Sequence, residues 1–167
     1  CKAPECRYVM KIIVLSDSHS EIRSMHEAVS KEKPDHIIHL GDYSRDAEEL
    51  RRRFPEIPMD IVKGNNDFMS GYPVSKLLVI DGKRLFITHG DQYGVKNGVE
   101  RIADKGKDES ADIVLFGHTH IPYLFIRQDM WIMNPGTIGL KSFFSPKATY
   151  GAIEIAGGKI RCEIKEV

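Results

Sequence analysis

Five short apolar runs in this chain each close on a residue able to hold a metal ion, and that repetition limits the fold more than any single motif does. Ile12-Ile13-Val14-Leu15 leads to Asp17 and His19, and Ile37-Ile38-His39-Leu40 leads to Gly41-Asp42. Ile61-Val62 leads to Gly64-Asn65-Asn66-Asp67, Leu85-Phe86-Ile87 to His89-Gly90, and Ile113-Val114-Leu115-Phe116 to Gly117-His118-Thr119-His120. Runs rich in β-branched residues and bounded by Gly or Asp read as buried strands. In open α/β sheets, ligands gather beyond the carboxyl ends of the strands. Two Asp, one Asn and four His are therefore expected along one rim of one sheet.

The segments between these runs alternate with them. Ser20 is placed to cap a helix carrying Ile22, Met25 and Val29 on one face, which Pro34 closes. Ala47, Leu50 and Phe54 repeat that spacing before Pro55, with Arg51, Arg52 and Arg53 read as a solvated face. Residues 61–63 read as a third strand, and 77–80 with 85–88 as a hairpin turning on Asp81-Gly82. Val99, Ile102 and Ala103 suggest a third helix flanked by Gly94, Gly98 and Gly106. Strands follow at 123–127, 131–133, 150–155 and 160–164, the last two joined by Gly157-Gly158. A βαβαβ start followed by mostly antiparallel strands predicts an α/β fold, a sandwich of two mixed sheets flanked by helices.

Size and charge narrow the function. The chain has 167 residues, enough for one domain with a real core, expected over residues 10–167. Acidic and basic residues are equal in number, which disfavours a long nucleic acid as partner because such binders carry a basic surplus. No apolar stretch approaches a membrane span, and no signal peptide is visible. Cys1, Cys6 and Cys162 make no CxxC pair, which favours a reducing, cytoplasmic setting. Residues 1–9 look unlike the rest and read as a leader or an alternative start before Met10. A lipid-bearing Cys1 is disfavoured because no flexible linker separates it from the first strand.

Taken singly, most of the motifs have ordinary explanations. Asp17-Ser18-His19 puts a carboxylate and an imidazole on one face of extended chain, but a capping Asp beside a surface His does so too. Asp42 can bridge two cations or cap the next helix. In Gly64-Asn65-Asn66-Asp67, an amide oxygen can ligate a cation, and the same residues suit a turn. His89 alone reads as a hydrogen-bonded structural residue. Gly117-His118-Thr119-His120 is more specific, since two imidazoles two positions apart can serve neighbouring ions. His26, His36 and His39 are assigned no ligand role. The conjunction of seven candidates at five run ends is what points to a metal centre.

In that order, D-x-H, G-D, G-N-x-D, H-G and G-H-x-H, the motifs resemble those of the calcineurin-like metallophosphoesterase superfamily, in particular its small prokaryotic phosphodiesterases. The likeness runs from Met10 to about the chain end and includes Asn134-Pro135-Gly136-Thr137. It implies a two-sheet α/β sandwich. It also implies that Asp17, His19 and His120 hold one ion and Asn65, His89 and His118 a second, with Asp42 bridging both. Many relatives carry His where this chain has Asn66. An amide does not act as a general acid near neutral pH, so Asp67 becomes a turn residue or a support behind the ligands, and good leaving groups should react fastest.

The expected function is hydrolysis of phosphodiester bonds by a metal-activated hydroxide, with Asp42, Asn66 and His118 closest to the chemistry. Two ions sharing Asp42 would stand roughly 3.5–4 Å apart and lower the pKa of water toward about 7. The N and O donors suit Mn²⁺ first, with Zn²⁺, Fe²⁺, Ni²⁺ or Co²⁺ as alternatives. The expected partner is a small phosphodiester, nucleotide-like substrates included, and the resemblance leaves a homo-oligomer open. The competing readings are a non-catalytic scaffold on the same fold, and a phosphomonoesterase or nuclease using the same centre. No Arg or Lys can be placed at the site from sequence. The loops at 68–73 and 142–146, with Phe143 and Phe144, are read as pocket wall, interface or core.

Overall fold

The structure is a computed structural model that describes residues 8–139 and 146–167. Its elements run β1 (Met10–Leu15), α1 (Ile22–Glu32), β2 (His36–His39), α2 (Ser44–Arg53), β3 (Met59–Ile61), β4 (Ser75–Ile80) and β5 (Lys83–Thr88). After a short 3-10 turn at Asp91–Tyr93 come α3 (Glu100–Asp108), β6 (Ile113–Leu115), β7 (Tyr123–Arg127), β8 (Met130–Asn134), β9 (Thr149–Ala156) and β10 (Lys159–Glu166). Two five-stranded mixed sheets result, ordered β10-β9-β1-β2-β3 and β4-β5-β6-β8-β7. The α/β sandwich expected from the sequence is the fold observed.

Period-2 side-chain alternation explains why the apolar runs are unbroken. Ile12 and Val14 of β1 face the second sheet, where they join Ile38, Leu85, Ile87, Ile113 and Leu115. Ile13 and Leu15 face outward and pack with Met25, Ala28 and Val29 of α1 and Leu50 of α2. In the other sheet Phe86 and Val114 turn outward onto Ile102 and Ala103 of α3. A strand covered on both faces has no solvent side on which polar residues could alternate. Each fully buried Ile or Leu contributes about 1.5–3 kcal/mol.

Several local expectations need correction. The candidate ligands do not line one rim of one sheet: β1, β2 and β3 lie in the first sheet, β5 and β6 in the second. Each set is internally parallel, and the carboxyl ends of both meet at one edge of the sandwich. Ser20 does not cap α1. Its φ is 70°, whereas a capping residue is extended; its amide N–H donates to Asp46 Oδ2 at 2.7 Å. The third strand lies at Met59–Ile61 rather than 61–63, because parallel pairing aligns Ile37 with Met59 and His39 with Ile61.

Gly106 lies inside α3 rather than beside it. A Cβ there would stand 2.9 Å from the Met130 sulfur and closer still to Val114, so the glycine lets α3 lie flat on β6 and β8. The Asp81-Gly82 hairpin forms as read, with φ of 48° and 75°, the paired positive values of a type I′ turn. Arg52 and Arg53 both pair with Glu49 on the solvated face of α2. Phe143, Phe144, Cys1 and Cys6 lie outside the described residues. Among those described, no helix is long and apolar enough to cross a membrane.

Candidate metal centre

The chain leaves β1 through Ser16 and Asp17, both fully buried. Asp17 Oδ2 accepts hydrogen bonds from Ser16 Oγ (2.6 Å) and the His118 amide (3.1 Å). Its Oδ1 has no hydrogen-bond donor. That oxygen lies 3.0 Å from His120 Nε2 and 4.0 Å from His89 Nε2. His120 Nε2 is in turn 3.3 Å from His19 Nε2. Across the site His89 Nε2 lies 3.1 Å from Asn65 Oδ1, 3.2 Å from His118 Nδ1 and 3.6 Å from Asp42 Oδ1. All seven sequence-predicted candidates are thus brought into one cavity. Five of them form two overlapping groups, Asp17–His19–His120 and Asp17–Asp42–His89, within each of which the donor atoms lie within 4.8 Å of one another.

This geometry fits cations. Two nitrogens held about 2.1 Å from a common ion at right angles stand about 3 Å apart, close to the imidazole separations here. A buried carboxylate oxygen without a donor is costly unless something positive meets it. His89 Nδ1 lies 2.9 Å from the Leu40 carbonyl; donation there fixes the proton on Nδ1 and turns the Nε2 lone pair toward the centre. The donor set of carboxylates, an amide oxygen and imidazoles, with no thiolate, suits borderline divalent ions.

Strain concentrates at the same place. Asp17, His19, Asp42, His118 and His120 have φ of 53°, 45°, 57°, 67° and 61°. Left-handed backbone costs non-glycine residues roughly 1–2 kcal/mol each. The surrounding hydrogen bonds hold these conformations. Asp46 of α2 accepts from Ser18 Oγ (2.7 Å) and the Ser20 amide, fixing the turn that carries His19. Asn134 Nδ2 donates to the Gly117 carbonyl (2.8 Å) and to Thr119 Oγ1 (2.9 Å), fixing the turn that carries His118 and His120. Thr137 Oγ1 donates to the Asp17 carbonyl at 2.8 Å. The NPGT segment held the only sequence signal for these supports. Asp46 gave none, being one carboxylate among several on a polar helix.

Asp67 takes the supporting place expected of it. It accepts the amides of Ser44 and Gly64, each at 2.8 Å, and so pins both the start of α2 and the Asn65-Asn66 turn. Asn66 reaches Asp42 twice, through its amide to Oδ1 (2.9 Å) and its side chain to Oδ2 (2.6 Å). Gly64 makes that closeness available: a Cβ would lie 2.5 Å from the Asp42 nitrogen and nearer still to Oδ1.

The titrations of Asp17 and of the imidazoles around it are pulled in opposite directions. Burial pushes the Asp17 carboxyl up, but the approach of His120, the charge of His89 and the Ser16 bond together hold it below its ordinary range. Burial pushes His19 and His118 down, whereas Asp17 draws His120 up. His39, given no ligand role, is fully buried, and burial lowers it to about 4. Its Nδ1 accepts the Gly41 amide at 3.2 Å. His36 pairs with Asp60 at 2.9 Å, and His26 packs beside Phe54.

Known proteins share both sequence and fold. Probable metallophosphoesterase YsnB of Bacillus subtilis is 32% identical over 138 residues, 78% of this chain and 76% of that protein. Phosphodiesterase YfcE of Escherichia coli K12 is 24% identical over 87% of this chain and 88% of its own length. The crystal structure of a predicted phosphoesterase from Streptococcus pneumoniae TIGR4 superimposes with a TM-score of 0.81 at 26% identity, covering 95% of this chain and 90% of that one. Vacuolar Protein Sorting 29 from Cryptosporidium parvum shares the fold at a TM-score of 0.77 and 15% identity, over 96% and 98% of the two chains. The domain profile of one superfamily matches residues 10–158. With that match, the YsnB likeness and the ordered motifs in one cavity, the chain belongs to the calcineurin-like phosphoesterase superfamily.

Proposed function

We propose that this chain is a phosphodiesterase whose seven converging side chains hold two divalent cations. The carrying observation is the buried Asp17 Oδ1, which lacks a hydrogen-bond donor and faces imidazole nitrogens in both donor groups. The phosphodiesterase name of the YfcE relative supports diesters as the substrate class. Mn²⁺ is the first choice of ion, with Zn²⁺, Fe²⁺, Ni²⁺ or Co²⁺ as alternatives. Such cations, when bound, supply an activated water nucleophile and neutralise charge on the phosphoryl oxygens.

The chain's own residues do the rest. Asp17, His19 and His120 form one nest and Asn65, His89 and His118 the other. Asp42 would be shared between the two nests, its Oδ2 giving up the Asn66 side-chain bond when a cation is held there. The freed Asn66 amide then donates to a non-bridging oxygen of the ester. It carries no acidic proton for the leaving group, so aryl esters outrun alkyl esters. The substrate is a small phosphodiester, nucleotide-like molecules included, consistent with the balanced net charge.

The test is turnover of bis-p-nitrophenyl phosphate by metal-stripped protein to which Mn²⁺ is returned. Activity should require the metal, and Asp42→Ala or His118→Ala should abolish it while the circular dichroism spectrum is kept. Full activity of either variant at trace metal would refute the two-ion reading. A folded, metal-loaded wild type with no turnover on any phosphoester would instead mark a scaffold on this fold.

A further inference from the structure

The turn that follows Asp42 carries an aromatic side chain to which the proposed chemistry gives no task. Tyr43 stands between β2 and α2 with a φ of 67°, left-handed backbone that a bulky residue rarely takes. Bonds on both sides hold it there. The Asn66 amide donates to Asp42 Oδ1 at 2.9 Å and the Ser44 amide to Asp67 Oδ1 at 2.8 Å. The Tyr43 carbonyl accepts the Asp46 amide at 2.9 Å. Its backbone is therefore fixed beside Asp42 by the Asn66-Asp67 turn and by α2.

The ring itself is placed by a contact. Its centroid lies 4.8 Å from that of His19, with the two planes at 54°, and His19 Nε2 is 3.3 Å from His120 Nε2. Tyr43 thus packs on a side chain of the Asp17–His19–His120 group. It nevertheless stays 41% exposed, so much of the side chain is left open beyond the part that His19 covers. The adjoining turn is apolar as well: Phe68 directly follows Asp67 and is 85% exposed, and Met69 is 99% exposed. The bonds that join residues 66 and 67 to 42 and 44 bring these two turns together. Apolar surface gathered beside a cavity of polar donors is suited to the apolar part of a ligand whose polar part the donors hold.

We infer that Tyr43 is a specificity-determining residue for the organic group of the ester, holding a flat ring, an aryl group or a nucleobase, against its open side while the phosphate sits at the metal centre. This rests on the phosphoester-hydrolase reading above and narrows its substrate class to esters that carry an aromatic ring. Offset or edge-to-face contact between two rings adds to the gain from apolar burial, and a sugar or a short alkyl group has no ring with which to make it.

The experiment reads binding rather than turnover. Mn²⁺-loaded wild type, Tyr43→Ala and Tyr43→Phe are titrated calorimetrically with two ligand pairs whose members differ by a ring system: phenylphosphonate against methylphosphonate, and adenosine 5′-monophosphate against ribose 5-phosphate. Wild type should bind the ring-bearing member of at least one pair about fivefold more tightly. Tyr43→Ala should reduce that ratio to about one, and Tyr43→Phe should keep it. Loss of preference in the phenyl pair alone identifies an aryl ester, and loss in the nucleotide pair identifies a nucleobase. A wild type that binds neither pair, or binds each without preference, would overturn the assignment. So would an unchanged ratio in Tyr43→Ala, and if both members of a pair weaken together Tyr43 only supports His19. A wild type that binds phenylphosphonate but turns over no phosphoester would defeat the hydrolase reading, while the ratios would still decide the task of Tyr43.

Discussion

Replacing Gly64 with alanine tests the closest packing in the site. No positive φ is required at this position, so the backbone accepts alanine, and the effect is purely one of space. The added methyl would lie 2.9 Å from Asp42 Cγ and 2.5 Å from its amide nitrogen. Ordinary contact begins near 3.4 Å, so Asp42 must retreat by roughly 1 Å, or the Asn65-Asn66 turn must. Overpacking of this kind costs about 1–3 kcal/mol, which for a chain of this size lowers Tm by roughly 3–10 °C. A misplacement of about 1 Å in a catalytic group costs about 100-fold in rate. Gly64→Ala should therefore cut Mn²⁺-dependent hydrolysis of bis-p-nitrophenyl phosphate about 100-fold and weaken Mn²⁺ binding, with folding retained by circular dichroism. Gly71→Ala is the control, because a Cβ there meets nothing within 4 Å. A Gly64→Ala protein with wild-type kcat and wild-type Mn²⁺ affinity would show that Asp42 need not stay where the structure holds it, and the reasoning would fail.

Other perturbations bear on stability. Mn²⁺ at about 100 times its Kd should add about 2.7 kcal/mol, raising Tm by roughly 5–10 °C; a chelator should reverse the shift, and an unmoved melting curve would count against metal binding. Asp60 of β3 is held near 2, against a model-compound value of 3.8, by its hydrogen bond from His36, with burial opposing and Lys76 of β4 assisting. Its folded value lies below its unfolded one, so it stabilises above about pH 4, and that contribution is lost as pH falls toward about 2. At 1.36 kcal/mol per pH unit this is about 2 kcal/mol, and screening of a half-buried group reduces it to roughly 1. Asp60→Asn should be less stable than wild type by that amount at neutral pH in urea titrations, with the gap closing near pH 2. The Cys162 thiol is buried and burial pushes it up to about 12, so thiol reagents should modify it only at the rate of unfolding.

The sequence alone determined the strand identities, the hairpin turns and which residues stand at strand ends. Those follow from short-range physics: side-chain period, the φ preferences of Asp-Gly and Gly-Gly, and the need to cover an apolar run on both faces. Which sheet each strand joined was not local information, and the seven donors duly came from two sheets rather than one. Tertiary structure alone decided that Asp17 meets His118 and His120 across about a hundred positions of chain. It also decided that Asp46 and Asn134 hold the strained turns. A left-handed Asp or His is unfavourable on its own, so no local preference foretells it; it persists because buried hydrogen bonds from distant segments outweigh its cost.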